Sequence, residues 1–122
     1  MTRFALALSI LVLAFAGTAT ASGPTAMASK SCHLTINQQR HSGATYLTQL
    51  SVSGVSCSTG LKLEKAWQAC RKKTAGHRTC KKRVSGYSSS QKILGSSKVE
   101  YDAKVTMKRG SKKVTFIYQQ NT

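Results

Sequence analysis

Four cysteines, three histidines and three carboxylates hold almost all of the reactive chemistry in this 122-residue chain. Cys32, Cys57, Cys70 and Cys80 form an even set in a short sequence, which reads as two disulfides rather than as nucleophiles. Cys70, His77 and Cys80 could in principle offer zinc two thiolates and an imidazole. Their C-x6-H-x2-C spacing fits no strong zinc pattern, however, and no metal is expected. Among the carboxylates, Glu100 and Asp102 fall on one face of a strand-like stretch, ~7 Å apart. A glycosidase pair could tolerate that separation, but solvated pairing with Lys98 and Lys104 accounts for them more simply. His33, His41 and His77 raise the question of a ribonuclease, since two imidazoles and a lysine can cleave RNA by acid–base catalysis. Nothing in the sequence draws the three together. No G-x-S-x-G, phosphate loop or H-E-x-x-H occurs. The expectation is a protein that is not an enzyme and uses no cofactor, with secreted ribonuclease the weakest alternative.

One stretch, Val55 to Cys70, must position two of the cysteines. At ~100° per residue, Gly60, Leu63, Ala66, Trp67 and Cys70 share one side of a helix. Lys62, Lys65, Gln68 and Ala69 fall opposite or near its edge, and Glu64 is expected near the rim. Ser56 or Ser58 can cap the first turn. Arg71, Lys72 and Lys73 suit the negative end of the helix dipole, and Thr74-Ala75-Gly76 stops the helix. Trp67 reads as a core anchor. Gly60 costs the helix ~1 kcal/mol against alanine, which close approach of a strand would repay.

That helix constrains the disulfides. Cysteines at its two ends lie ~20 Å apart, well beyond the ~7 Å that a disulfide spans, so Cys57–Cys70 is excluded. Two pairings remain: Cys32–Cys57 with Cys70–Cys80, which the register of the first hairpin favours, and Cys32–Cys70 with Cys57–Cys80.

The rest of the chain reads as strand and leader. Met1-Thr2-Arg3, the apolar run Phe4 to Ala16 and the small-x-small site Ala19-Thr20-Ala21 predict a signal peptide over residues 1–21, with Ala28 a second cleavage candidate. The run is too short and wrongly flanked to span a membrane. Residues 22–30 read as a flexible leader and 31–120 as one domain. A first hairpin is expected from Cys32-Leu34-Ile36 and Tyr46 to Val55. Arg83 to Tyr87 reads as a short strand and Ser88 to Ser97 as an exposed loop. The last hairpin is the best defined. Val99, Tyr101, Ala103, Val105 and Met107 alternate with polar residues, Arg109-Gly110-Ser111 turns, and Val114, Phe116 and Tyr118 return. One apolar face calls for a cover. The predicted fold is therefore α+β: an antiparallel sheet, in the order β-β-α-β-β-β along the chain, packed on one helix and held by two disulfides.

Charge is the strongest compositional signal. The chain carries 19 Lys and Arg against three Asp and Glu, a net charge of +16. Such a surface attracts polyanions such as acidic cell-wall polymer or nucleic acid. The densest basic run comprises Arg71, Lys72, Lys73, Arg78, Lys81, Lys82 and Arg83, and a polyanion site is expected there.

Short motifs add a resemblance. Val55-Ser56-Cys57 leading a helix that ends near Ala66-Trp67, then Val84-Ser85-Gly86-Tyr87, Tyr101-Asp102-Ala103-Lys104-Val105-Thr106 and Arg109-Gly110 before Val114-Thr115-Phe116, resemble small secreted cysteine-containing domains of actinobacterial type, a class without assigned function. The resemblance covers roughly residues 50–118 and implies an extracellular β-rich fold with a helix and no catalytic residues. Proteins of that class often carry a further cysteine just after the Gly-Tyr pair and another before the Arg-Gly turn. Here those places hold Ser88 or Ser89 and Met107. The expected role is that of a small secreted, non-catalytic basic protein binding an anionic polymer or envelope surface. A secreted protease inhibitor or antimicrobial-type interaction protein is the alternative.

Overall fold

The structure is a computed structural model that describes residues 27–122. The expected signal peptide and most of the leader lie outside the described residues.

The polypeptide forms β1 (Lys30–Ser31), α1 (Ile36–Arg40), β2 (Tyr46–Ser53), α2 (Cys57–Lys73), β3 (Ser88–Ser96), β4 (Glu100–Arg109) and β5 (Lys112–Asn121). The strands make one antiparallel sheet in the order β1-β2-β5-β4-β3. The α+β expectation is met. β4 and β5 pair in unbroken register from Glu100↔Asn121 to Arg109↔Lys112, and Gly110 makes the turn at φ 58°. Their period-2 pattern turns Tyr101, Ala103, Val105, Met107, Val114, Phe116 and Tyr118 to one face, all buried. Val99, expected on that face, lies before the strand and is exposed.

Helix α2 covers this face. Ser56 is its N-cap, its side chain accepting from the Thr59 amide at 3.1 Å. Trp67 is fully buried against Phe116, ring centroids 5.5 Å apart edge to face, and against Tyr118 at 5.7 Å. Its Nε1 donates to Ser89 Oγ at 3.0 Å, which ties the helix to β3. Gly60 meets β2 closely: a β-carbon there would come within 2.5 Å of Val52 Cγ1. Close helix–strand approach thus explains a residue that the helix alone would not favour.

Both disulfides follow the favoured pairing. Cys32–Cys57 has its Cα atoms 5.6 Å apart and Cys70–Cys80 5.3 Å apart. The zinc reading of Cys70, His77 and Cys80 falls, because both sulfurs are bonded to each other.

Three local expectations are corrected. Residues 32–37 do not form a strand. Thr35 caps α1 instead, accepting from the Gln38 amide at 3.2 Å while Gln38 Oε1 accepts from the Thr35 amide at 2.9 Å. This is a reciprocal capping box, which outweighs the weak apolar alternation of Leu34 and Ile36. Arg83–Tyr87 is not a strand but a tight turn, with Val84 and Tyr87 bonded to each other across Ser85 and Gly86, both at positive φ. Ser88–Ser96, expected as a loop, is the edge strand β3, its serines recruited by the ladder of β4. The leader is also less free at its end than expected, since Lys30 and Ser31 pair with Val52 and Ser51, and the Ser53 hydroxyl donates to the Met27 carbonyl at 2.7 Å.

Candidate functional site

The basic run begins inside the helix. Arg71, expected on the surface, is only 3% exposed. Its Nε donates to Gln68 Oε1 at 2.7 Å, Nη2 to Gln120 Oε1 at 2.9 Å and Nη1 to the His77 carbonyl, and its guanidinium lies 5.3 Å from the centre of the Tyr118 ring. These contacts spend its donors within the protein, so Arg71 is a structural cation rather than a free ligand for a polymer. Arg78 stacks over Tyr101 at 5.5 Å. Arg71 and Arg78 line a shallow recess of about 280 Å³ with Gln120 and Asn121.

The remainder of the run faces elsewhere. Lys72, Lys73, Lys81, Lys82 and Arg83 are exposed. The Cys70–Cys80 bond folds Lys82 and Arg83 back beside the last turn of α2, where they line a groove of about 460 Å³ with Lys73, Ala66 and Ala69. Seven basic residues expected at one place are therefore divided: Arg71 is buried and the other six are exposed, with Arg78 stacked at the recess and Lys73, Lys82 and Arg83 along the groove.

Beside Arg71 lies a feature that the residue types conceal. Glu64 and Gln68, expected at the rim and outer side of the helix, are both fully buried. Neither Glu64 carboxyl oxygen has a hydrogen-bond partner among the described residues, and neither does Gln68 Nε2. Burial pushes the Glu64 carboxyl up from 4.5 to about 8; the nearby Gln68 amide, Lys65, Arg71 and Lys72 offset only part of this. At neutral pH Glu64 is thus mostly an uncharged acid. Burial likewise pushes the Tyr118 hydroxyl up, with neighbouring Tyr101 adding to it. The arrangement has a detectable signal in the sequence. Relative to Gly60, Glu64 lies about 40° and Arg71 about 20° round the helix, inside the apolar stripe.

The catalytic candidates do not assemble. His41 Nδ1 is 2.9 Å from the Asn37 carbonyl, and His77 Nδ1 contacts the Lys72 carbonyl, so each serves its own segment. Glu100 accepts from Gln119 Nε2 at 2.8 Å rather than pairing with Lys98. No group of three or more His, Cys, Asp or Glu among the described residues could hold a metal ion. No helix among the described residues is long and apolar enough to cross a membrane.

No family model, no curated protein and no solved structure matches this chain.

Proposed function

We propose that the protein is a small exported, non-catalytic binder of anionic polymers at or near the cell envelope; the actinobacterial resemblance implies the export and the lack of catalytic residues, and the charge supports the polymer. One observation carries this reading: the surface is more one-sided than the sequence suggests. Of the three carboxylates, Glu64 is buried and largely uncharged, which leaves Glu100 and Asp102 to face the exposed lysines and arginines. A surface of that kind concentrates polyanions and holds them by release of their counterions. Two disulfides are compatible with export to an oxidising compartment.

The exposed basic loop contributes to binding. On immobilised heparin, the oxidised protein is retained and elutes at a salt concentration that falls when Lys72, Lys73, Lys81 and Lys82 are all changed to glutamine. Elution alongside a neutral protein would refute the polyanion reading. Inhibition of an exported protease by the Cys70–Cys80 loop would favour the alternative role.

A further inference from the structure

The face of the sheet turned away from α2 carries a charge pattern that folding alone does not explain. Lys92 stands directly opposite Lys104, and Lys108 directly opposite Lys113. Like charges placed across neighbouring strands repel and destabilise a sheet. All four lysines are exposed on this face, and no carboxylate lies in either of their rows. Asp102 is the nearest acid along β4, two residues from Lys104.

Between the two lysine rows runs a third row. Ser90, Thr106, Thr115, Ser51 and Ser31 are in successive register, one residue from each of the five strands. Neighbouring strands lie ~4.8 Å apart, and each lysine row is two residues, ~7 Å, to one side along the strand. Two separate concavities lie along this line: one of about 330 Å³ bordered by Ser90, Thr106, Lys108 and Lys113, and one of about 270 Å³ bordered by Thr115, Ser51, Ser31 and Lys104. The result is a trough with a hydroxyl floor crossing the strands on the side opposite the helix, walled by lysines over β3 and β4 on one side and over β4 and β5 on the other, with Ile117 and Gln49 continuing the Lys92–Lys104 row.

We propose that this trough is the docking surface for an extended acidic polysaccharide. The inference rests on the polyanion reading above and gives that reading a ligand class and a second location, apart from the Arg71–Arg83 loop. Anionic groups of the chain meet the lysine ammoniums, and sugar hydroxyls exchange hydrogen bonds with the serine and threonine row. The same face is poorly suited to nucleic acid bases. The rings of Trp67, Tyr87, Tyr101, Phe116 and Tyr118 are all buried. Tyr46, at the margin, already lies under Arg40. Among the described residues Tyr46 is thus the one exposed ring, and a single ring at the margin makes no platform for successive bases.

The test measures affinities of the oxidised protein for heparin, polygalacturonate, neutral dextran, double-stranded DNA and anionic lipid vesicles at fixed salt. Three variants are compared: the face variant K92Q/K104Q/K108Q/K113Q, the loop variant K72Q/K73Q/K81Q/K82Q with the same loss of charge, and the hydroxyl variant T106V/T115V with none. Thermal midpoints confirm that each is folded. The trough predicts at least tenfold weaker binding of both acidic polysaccharides by the face variant, exceeding the loss in the loop variant. It also predicts several-fold weaker polysaccharide binding by the hydroxyl variant, with DNA binding unchanged. If the loop variant loses binding and the face variant does not, the trough is overturned and the polyanion reading stands. Wild-type protein that binds none of the polyanions overturns both. Preference for DNA or vesicles, or a hydroxyl variant indistinguishable from wild type, overturns the polysaccharide as occupant.

Discussion

Glu64 shows how far a single side chain can depart from its type. Its carboxyl is buried with no hydrogen-bond partner among the described residues, and burial raises its pKa from 4.5 to about 8. In the unfolded chain the same group ionises near its ordinary value. Below both values the proton is bound in either state and nothing is lost. Between them the folded protein keeps a proton that the unfolded chain releases, so rising pH favours unfolding. Stability should therefore decline from about pH 5 to pH 8, by up to about 1 kcal/mol per pH unit. Glu64→Gln should flatten this slope and raise the thermal midpoint at pH 8 while changing little at pH 4.5. A variant whose midpoint follows the same pH course as wild type would show that Glu64 is not the group responsible. The helical angles of Glu64 and Arg71 placed them inward; their polar chemistry argued for the rim. For Arg71 burial won because Gln68, Gln120 and the His77 carbonyl satisfy it, a set of partners that only the folded chain brings together; Glu64 is instead buried as an uncharged acid.

At the scale of elements, legibility followed periodicity. The β4–β5 hairpin announces itself through alternation, and α2 through its stripe and its flanking cysteines, which also narrowed the disulfide pairing. β3 does not, because Ser88-Ser89-Ser90 has little intrinsic preference for strand and is drawn into the sheet by its partner. α1 was signalled only by Thr35 and Gln38, a local hydrogen-bond motif that hydrophobic pattern does not register. The candidate site fared similarly. The exposed lysines of the basic loop were legible, but the lysine pairs of the open face were not, since cross-strand neighbours become visible only once register is known. Register also offers a direct chemical test of the sheet. Ser89 and Met107 are directly opposed on β3 and β4. Directly opposed strand residues have Cα separations of about 4.5–5.5 Å, within disulfide range. The double variant S89C/M107C should therefore oxidise to a third disulfide, detected as a loss of two mass units with no free thiol. Persistent free thiols in the folded double variant would contradict the β3–β4 register. The Trp67 indole would lose its acceptor at Ser89, so part of the gain from the cross-link would be offset, by ~1 kcal/mol.

The whole molecule is a sheet with one face sealed by a helix and the other left open, under a charge of +16 across the chain. Among the described residues the sealed face holds the buried apolar core, and the open face and the basic loop carry much of the charge. Self-repulsion on this scale destabilises a compact state, and two disulfides help hold it together by constraining the unfolded chain. Binding of an acidic polymer would relieve that repulsion, so the function proposed and the electrostatic strain of the free protein have one origin. The most direct test is the affinity of the wild-type oxidised protein for heparin, measured by fluorescence anisotropy across a salt series from roughly 50 to 200 mM. The account predicts binding at the lowest salt and a linear fall of log affinity with log salt, amounting to at least about tenfold across the series. Absence of binding at low salt, or an affinity that salt leaves unchanged, would contradict it.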